Sequence, residues 1–327
     1  MKSQHPFDRY VNKARGGRLG LWRLAGGVIL IIGIAMLSQM IVSWALATLT
    51  LVVEAKTNSD LAIGEAWRIA AASLGSWTGS LFRIGSIGAI WIGVWVAVVG
   101  LQRRPLACLL GADCRLSGAH FARGLQAALI MGVAGEIAFY VIDPSLHRSQ
   151  VPIGDWLSWL VPFALALMAQ SSAEELLFRG YLVQSLAARF RNPWIWAFPP
   201  TIVFAFLHWE PGASGAMNAA ILVSIAGFGT AALLVTYLTG DLGAAMGIHF
   251  GNNLFALLIA SHQRLFNIPA LFQSRAFEQP GWSVAHAISV ASIGIASLGG
   301  TLLLLVHPRS PLRICLAADL VAPASRS

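Results

Sequence analysis

The chain is 327 residues long, 57% hydrophobic and only 11% charged, where an ordinary soluble domain is about a quarter charged; its mean hydropathy is +0.69. Such a composition excludes a soluble globular enzyme and points to an integral, multi-pass membrane protein. The net charge of +8 would suit nucleic acid, yet no basic stripe interleaved with aromatics stands on a soluble module, so no nucleic-acid partner is expected.

A spanning helix needs ~20 mostly apolar residues. In chain order the apolar runs cover about 24–53, 84–101, 122–142, 156–187, 194–208, 217–238, 242–260 and 284–306. They predict an all-α fold, a polytopic membrane helical bundle of about eight transmembrane segments. Lys2, Arg9, Lys13, Arg15, Arg18 and Arg23 precede the first run, which is too long for a signal-peptide core and lacks a small-residue cleavage site, so it is expected to stay as a span. The connection 54–83 contains LAIGEAWRIAAASLGSW, whose spacing suits either an amphipathic helix on the outer surface or a plain loop helix.

Arg103, Arg104 and Arg115 follow the second run, Arg189 and Arg191 the fourth, and Arg309 and Arg313 the last. A cytoplasmic N-terminus places all of these on one side, as cytoplasmic loops require, with a cytoplasmic C-terminus and a bacterial inner (plasma) membrane as the expected location. Cys108, Cys114 and Cys315 are too few for a disulfide framework, show no metal-ligand spacing, and are expected as unpaired thiols on the reducing side. No internal repeat or sizeable soluble module interrupts the bundle, so function is expected inside it.

Three short spaced motifs put polar groups into these apolar runs: Glu174-Glu175-x-x-x-Arg179, Phe204-x-x-x-His208 and His249-x-x-x-Asn253. Ionisable groups at membrane depth cost a few kcal/mol each and persist where they face a bundle interior or a wet cavity. Depth is consistent across two of them. His208 lies eight residues after Pro200 and His249 eight after Asp241, so each stands about 12 Å from a cytoplasmic turn, while Glu174 is about 22 Å from Arg189.

Residues four apart share a helix face, so Glu175 can pair with Arg179 while Glu174, about 100° around the helix, points elsewhere. A carboxylate in a low-dielectric cavity can take a proton from water and hand it on, which makes Glu174 the expected general base. Phe204, one turn before His208, is placed to fix the orientation of that ring. His249 and Asn253 again share a face and can donate to a developing oxyanion; alternatively Glu174, His208 and His249 would make a zinc set. Singly, each motif has a packing explanation: a buried ion network, an interfacial histidine, an interhelical hydrogen bond. Three such clusters on separate helices make that explanation expensive.

The stretch SSAEELLFRGYL, followed by FAFLH and GIHFGNN, resembles the CPBP family of intramembrane proteases, which includes type II CAAX prenyl endopeptidases, bacteriocin-processing or immunity proteins and abortive-infection proteins. The resemblance covers about residues 155–262. It implies that Glu174 and His208 activate a water, that His249 and Asn253 stabilise the oxyanion, and that Glu175, Arg179 and Phe204 support them. The implied partners are the lipid bilayer and a peptide or protein substrate, which in the family includes prenylated CaaX tails. Members are commonly labelled metalloproteases, so a divalent metal such as zinc stays open beside a metal-free glutamate site; no HExxH helix is present. The expected organisation is a cytoplasmic tail and three segments over 1–150, a protease core over 151–262, and a final span and tail over 263–327.

Other polar residues have lesser expected roles. Glu136 should pack or line a cavity, Asn218 should shape the loop after His208, and Gln170 flanks the first motif. Ser171 and Ser172 lack a Gly-x-Ser-x-Gly frame. Two other classes compete with hydrolysis: a proton-coupled transporter relaying through Glu174, His208 and His249, and a catalytically silent membrane scaffold or immunity factor. Missing related halves weigh against the first, intact motifs against the second.

Overall fold

A computed structural model describes residues 5–57 and 63–314, and Cys315 lies outside the described residues. All eight apolar runs are helical, but six helices are long and apolar enough to cross a membrane: Leu21–Lys56, Trp77–Gln102, Gly118–Ile142, Ile153–Arg189, Gly215–Thr239 and Val284–Val306. The expected eight spans therefore become six among the described residues. The other two helices, Pro193–Phe206 and Gly243–Ile259, are short. At ~1.5 Å per residue they rise about 20 and 25 Å, less than the ~30 Å of hydrocarbon, and hydropathy alone could not separate them from full spans.

Local sequence explains the element ends. Ser117, Ser214 and Ser283 cap their helices, each accepting from the backbone N–H three residues on. Gly240, at φ +69°, closes Gly215–Thr239 in the left-handed conformation that glycine adopts freely. The connection after the first span folds as the helix Ile63–Leu74, which packs against Leu21–Thr57.

The motif helices are uneven. Ile153–Glu175 is α-helical, the next stretch, Leu176–Val183, is π-helical, and Gln184–Arg189 returns to α. Gly243–Leu254 likewise passes into a π-helical stretch, Phe255–Ile259. Wide turns of this kind are rare and cluster at functional positions, and these two begin just after motif residues, while a third, Ala97–Gln102, lies away from them.

Gly243–Leu254 lies directly on Gly118–Ile142 because its contact face is glycine. A Cβ on Gly247 would stand 2.1 Å from the Phe121 carbonyl oxygen, and one on Gly251 2.9 Å from the Leu125 carbonyl oxygen. Small residues at four-residue spacing let two backbones meet, as in membrane helix pairs generally.

The bundle has two unlike ends. At one, the helix Pro6–Arg15 buries Phe7, Tyr10 and Val11, Arg9 pairs with Asp113, Arg18 N–H donates to the Gln102 carbonyl and Arg123 to the Arg313 carbonyl. Among the described residues, the basic residues expected on one side thus gather at one end. At the other, His147–Arg148, Phe272–Gln273 and Ala260–Ser261 form a three-stranded sheet of two-residue strands, antiparallel then parallel. These fragments leave the fold all-helical.

Candidate active site

The three motifs converge. Glu175 is fully buried; its Oε1 accepts from Arg179 Nη1 at 2.9 Å and from His249 Nδ1 at 2.8 Å. The Arg179 guanidinium, 2% exposed, lies over the Phe204 ring at 4.5 Å and near Phe228 at 5.8 Å. A buried cation needs such partners, because desolvation otherwise outweighs its attractions. Helical spacing alone predicted the Glu175 and Arg179 pair. It did not predict that the same carboxylate also holds His249, which lies far along the chain.

Glu174 points the other way, as its offset around the helix requires. Its Oε1 accepts from Gln170 Nε2 at 2.7 Å, while its Oε2 is buried without a hydrogen-bond partner and stands 3.6 Å from His249 Nε2. Gln170 is also the link to the third motif, since its Oε1 accepts from Asn253 Nδ2 at 2.9 Å. In the sequence Gln170 only flanks the first motif. Its position four before Glu174 was the signal available for a stronger role.

His208 Nδ1 lies 2.9 Å from the Phe204 carbonyl, so Nδ1 carries the proton and Nε2 is left as the acceptor in the neutral ring. Phe204 also contacts the His208 ring at 4.8 Å between centroids and His249 at 5.8 Å, and so stands between the two histidines. Phe228 packs edge-on against His249 at 4.9 Å; nothing in the sequence marked it.

Glu174, His208, Asn253 and Gln170 line one cavity of about 680 Å³. His249 sits behind that wall, 3% exposed. Ile31, Ile84 and Ile90 from the first 150 residues form an apolar side of the cavity, and Trp209, Glu210, His262 and Glu278 form its far part. These last residues belong to the sheet end. The cavity extends from the motifs away from the basic end, because the short helix ending at Phe206 leaves room beyond it.

The remaining expectations resolve simply. Asn218 does shape the loop after His208, accepting from Glu210 N–H at 2.9 Å and donating to the Glu210 and Ala213 carbonyls. Glu136 pairs with His262 at 2.9 Å. Ser171 donates to the Leu167 carbonyl and Ser172 accepts from Trp91, so neither hydroxyl is joined to a histidine. Among the described residues no three His, Cys, Asp or Glu side chains stand together as a metal-binding group.

Fold and site together define a class: integral membrane proteins with a carboxylate and histidine cluster walled into a helical bundle. Within it, residues 156–255, which hold all three motifs, match the family described as Rce1-like, type II CAAX prenyl endopeptidase Rce1-like. The match agrees with the resemblance read from the motifs. The chain is also 28% identical over 204 residues to an uncharacterized protein, YyaK, of Bacillus subtilis (strain 168), covering 61% of this chain and 67% of that protein. No solved structure matches.

Proposed function

We propose that the protein is an intramembrane endopeptidase that adds water across a peptide bond of a membrane-associated or lipidated substrate, a prenylated CaaX tail being the case nearest its family. The observation that carries this reading is Glu174 Oε2, a buried carboxylate oxygen without a hydrogen-bond partner at the wall of the cavity, its twin oxygen fixed by Gln170.

Glu174 takes a proton from a water, assisted by the free Nε2 of His208, and the resulting hydroxide attacks the scissile carbonyl. The oxyanion meets His249 Nε2, in the doubly protonated ring, and the Asn253 amide, whose Nδ2 donates to Gln170 Oε1 at 2.9 Å and must exchange its longer bond to Ser171 Oγ, 3.4 Å, for the oxyanion. Collapse passes the proton from Glu174 to the leaving amine, which completes the hydrolysis. No step in this scheme uses a metal, and chelator treatment is expected to leave the rate unchanged.

The test is cleavage of a lipidated peptide by purified protein in proteoliposomes. Glu174→Gln is expected to lower the rate by roughly 10²–10⁴-fold while elution and melting stay as in the wild type. Wild-type cleavage by a folded Glu174→Gln protein would overturn the assignment.

A further inference from the structure

Cys108 and Cys114 lie in the basic-end connection between the helices Trp77–Gln102 and Gly118–Ile142, where the sequence expects unpaired thiols. Their sulfurs are 2.7 Å apart, and the chain turns back between them, with Cys114 N–H donating to the Gly111 carbonyl. A disulfide requires two such side chains to face each other at close range, a condition few cysteine pairs meet by chance.

The backbone between the two thiols is bound to the first motif helix and to the turn that opens the third. Gln184 donates to the Cys108 carbonyl at 2.8 Å, and Tyr10 OH lies 2.8 Å from the Leu109 carbonyl and 3.4 Å from that of Arg179. Leu242 N–H donates to the Leu110 carbonyl, Ala112 N–H to the Gly240 carbonyl, and Gly111 bridges Asp241. One turn thus holds the helix of Glu174 and Glu175 and the start of the helix of His249 and Asn253.

We propose that Cys108 and Cys114 form a reversible dithiol–disulfide site, oxidised by small-molecule disulfides of the glutathione class, and that the bond locks the turn that ties the two motif helices together. Burial and the contact with Cys114 push the Cys108 thiol up to about 11; in the exchange Cys108 resolves and Cys114 attacks first. Its thiolate attacks one sulfur of the small disulfide, forming a mixed disulfide and releasing one thiolate. Cys108, losing its proton to water, then attacks Cys114 Sγ and releases the second thiolate; the protein dithiol is oxidised by two electrons and the small disulfide is reduced to two thiols.

The test uses the full chain with Cys315→Ser, purified in detergent and equilibrated across ratios of reduced to oxidised glutathione. Maleimide labelling after denaturation, intact mass and hydrogen exchange are read together. The expected result is paired loss of both thiols and of two hydrogens in mass, recovery with dithiothreitol, and slower exchange over residues 240–254 in the oxidised form. Adding Cys108→Ser is expected to trap a single glutathione adduct on Cys114. Thiols that both stay open to maleimide, or a separate adduct on each cysteine, would overturn the site; pairing without slower exchange would overturn the locking.

Discussion

Glu174 and Glu175 are neighbours with opposite fates, and one residue of helical offset separates them. Glu175 is enclosed with Arg179 and His249, whereas Glu174 faces the cavity. Removing one member of a buried ion pair leaves the other charge without compensation, so Glu175→Ala is expected to destabilise the fold by about 3–5 kcal/mol. Thermal unfolding in detergent measures this. A wild-type midpoint would show that Glu175 is not holding Arg179 in the folded protein, and Glu174→Gln, which strands no cation, should leave the midpoint unmoved. At this scale much was legible in sequence. The i, i+4 rule found the pair of Glu175 with Arg179 and the contact of Phe204 with His208, because both partners lie on one helix. The contacts of Glu175 with His249, Gln170 with Asn253 and Phe228 with His249 cross between helices, where spacing along one chain segment carries no information.

At the scale of elements, the glycine face of Gly243–Leu254 sets how deeply that helix sits and therefore where His249 and Asn253 stand. A methyl group on Gly247 meets backbone, the Phe121 carbonyl oxygen, which cannot rotate away. Gly247→Ala must therefore push the two helices apart. A displacement of about 1 Å at reacting groups costs on the order of 10²-fold, so cleavage is expected to fall by that order, with a lower melting temperature. Gly299→Ala is the control, since nothing lies within 4 Å of the position a Cβ would occupy there. Unchanged cleavage by Gly247→Ala would mean that helix depth does not set the site. The four-residue spacing of Gly243, Gly247 and Gly251 stands in the sequence and could have announced this contact. The π-helical turns after Glu175 and Leu254 could not, since apolar periodicity does not distinguish a turn that takes one extra residue.

For the whole molecule, the basic residues gathered at one end fix an expected orientation, and the cavity then opens toward the other side. Hydropathy found every apolar run but counted eight spans, because a helix that ends inside the protein at a cavity is as apolar as one that crosses. Charge bias predicts a cytoplasmic basic end. Substrate would then approach the motifs from the sheet end or from the bilayer beside Ile32 and Met36, both exposed on the first span and lining the cavity. Replacing the three native cysteines by serine and introducing Ala107→Cys or Gln273→Cys, both at exposed positions, tests this in intact cells. A membrane-impermeant maleimide is expected to label Gln273→Cys without permeabilisation and Ala107→Cys only after it. The reverse pattern would put the basic end outside, turn the cavity toward the cytoplasm, and set the Cys108 and Cys114 pair in an oxidising compartment, where it would rest as the disulfide instead of the dithiol.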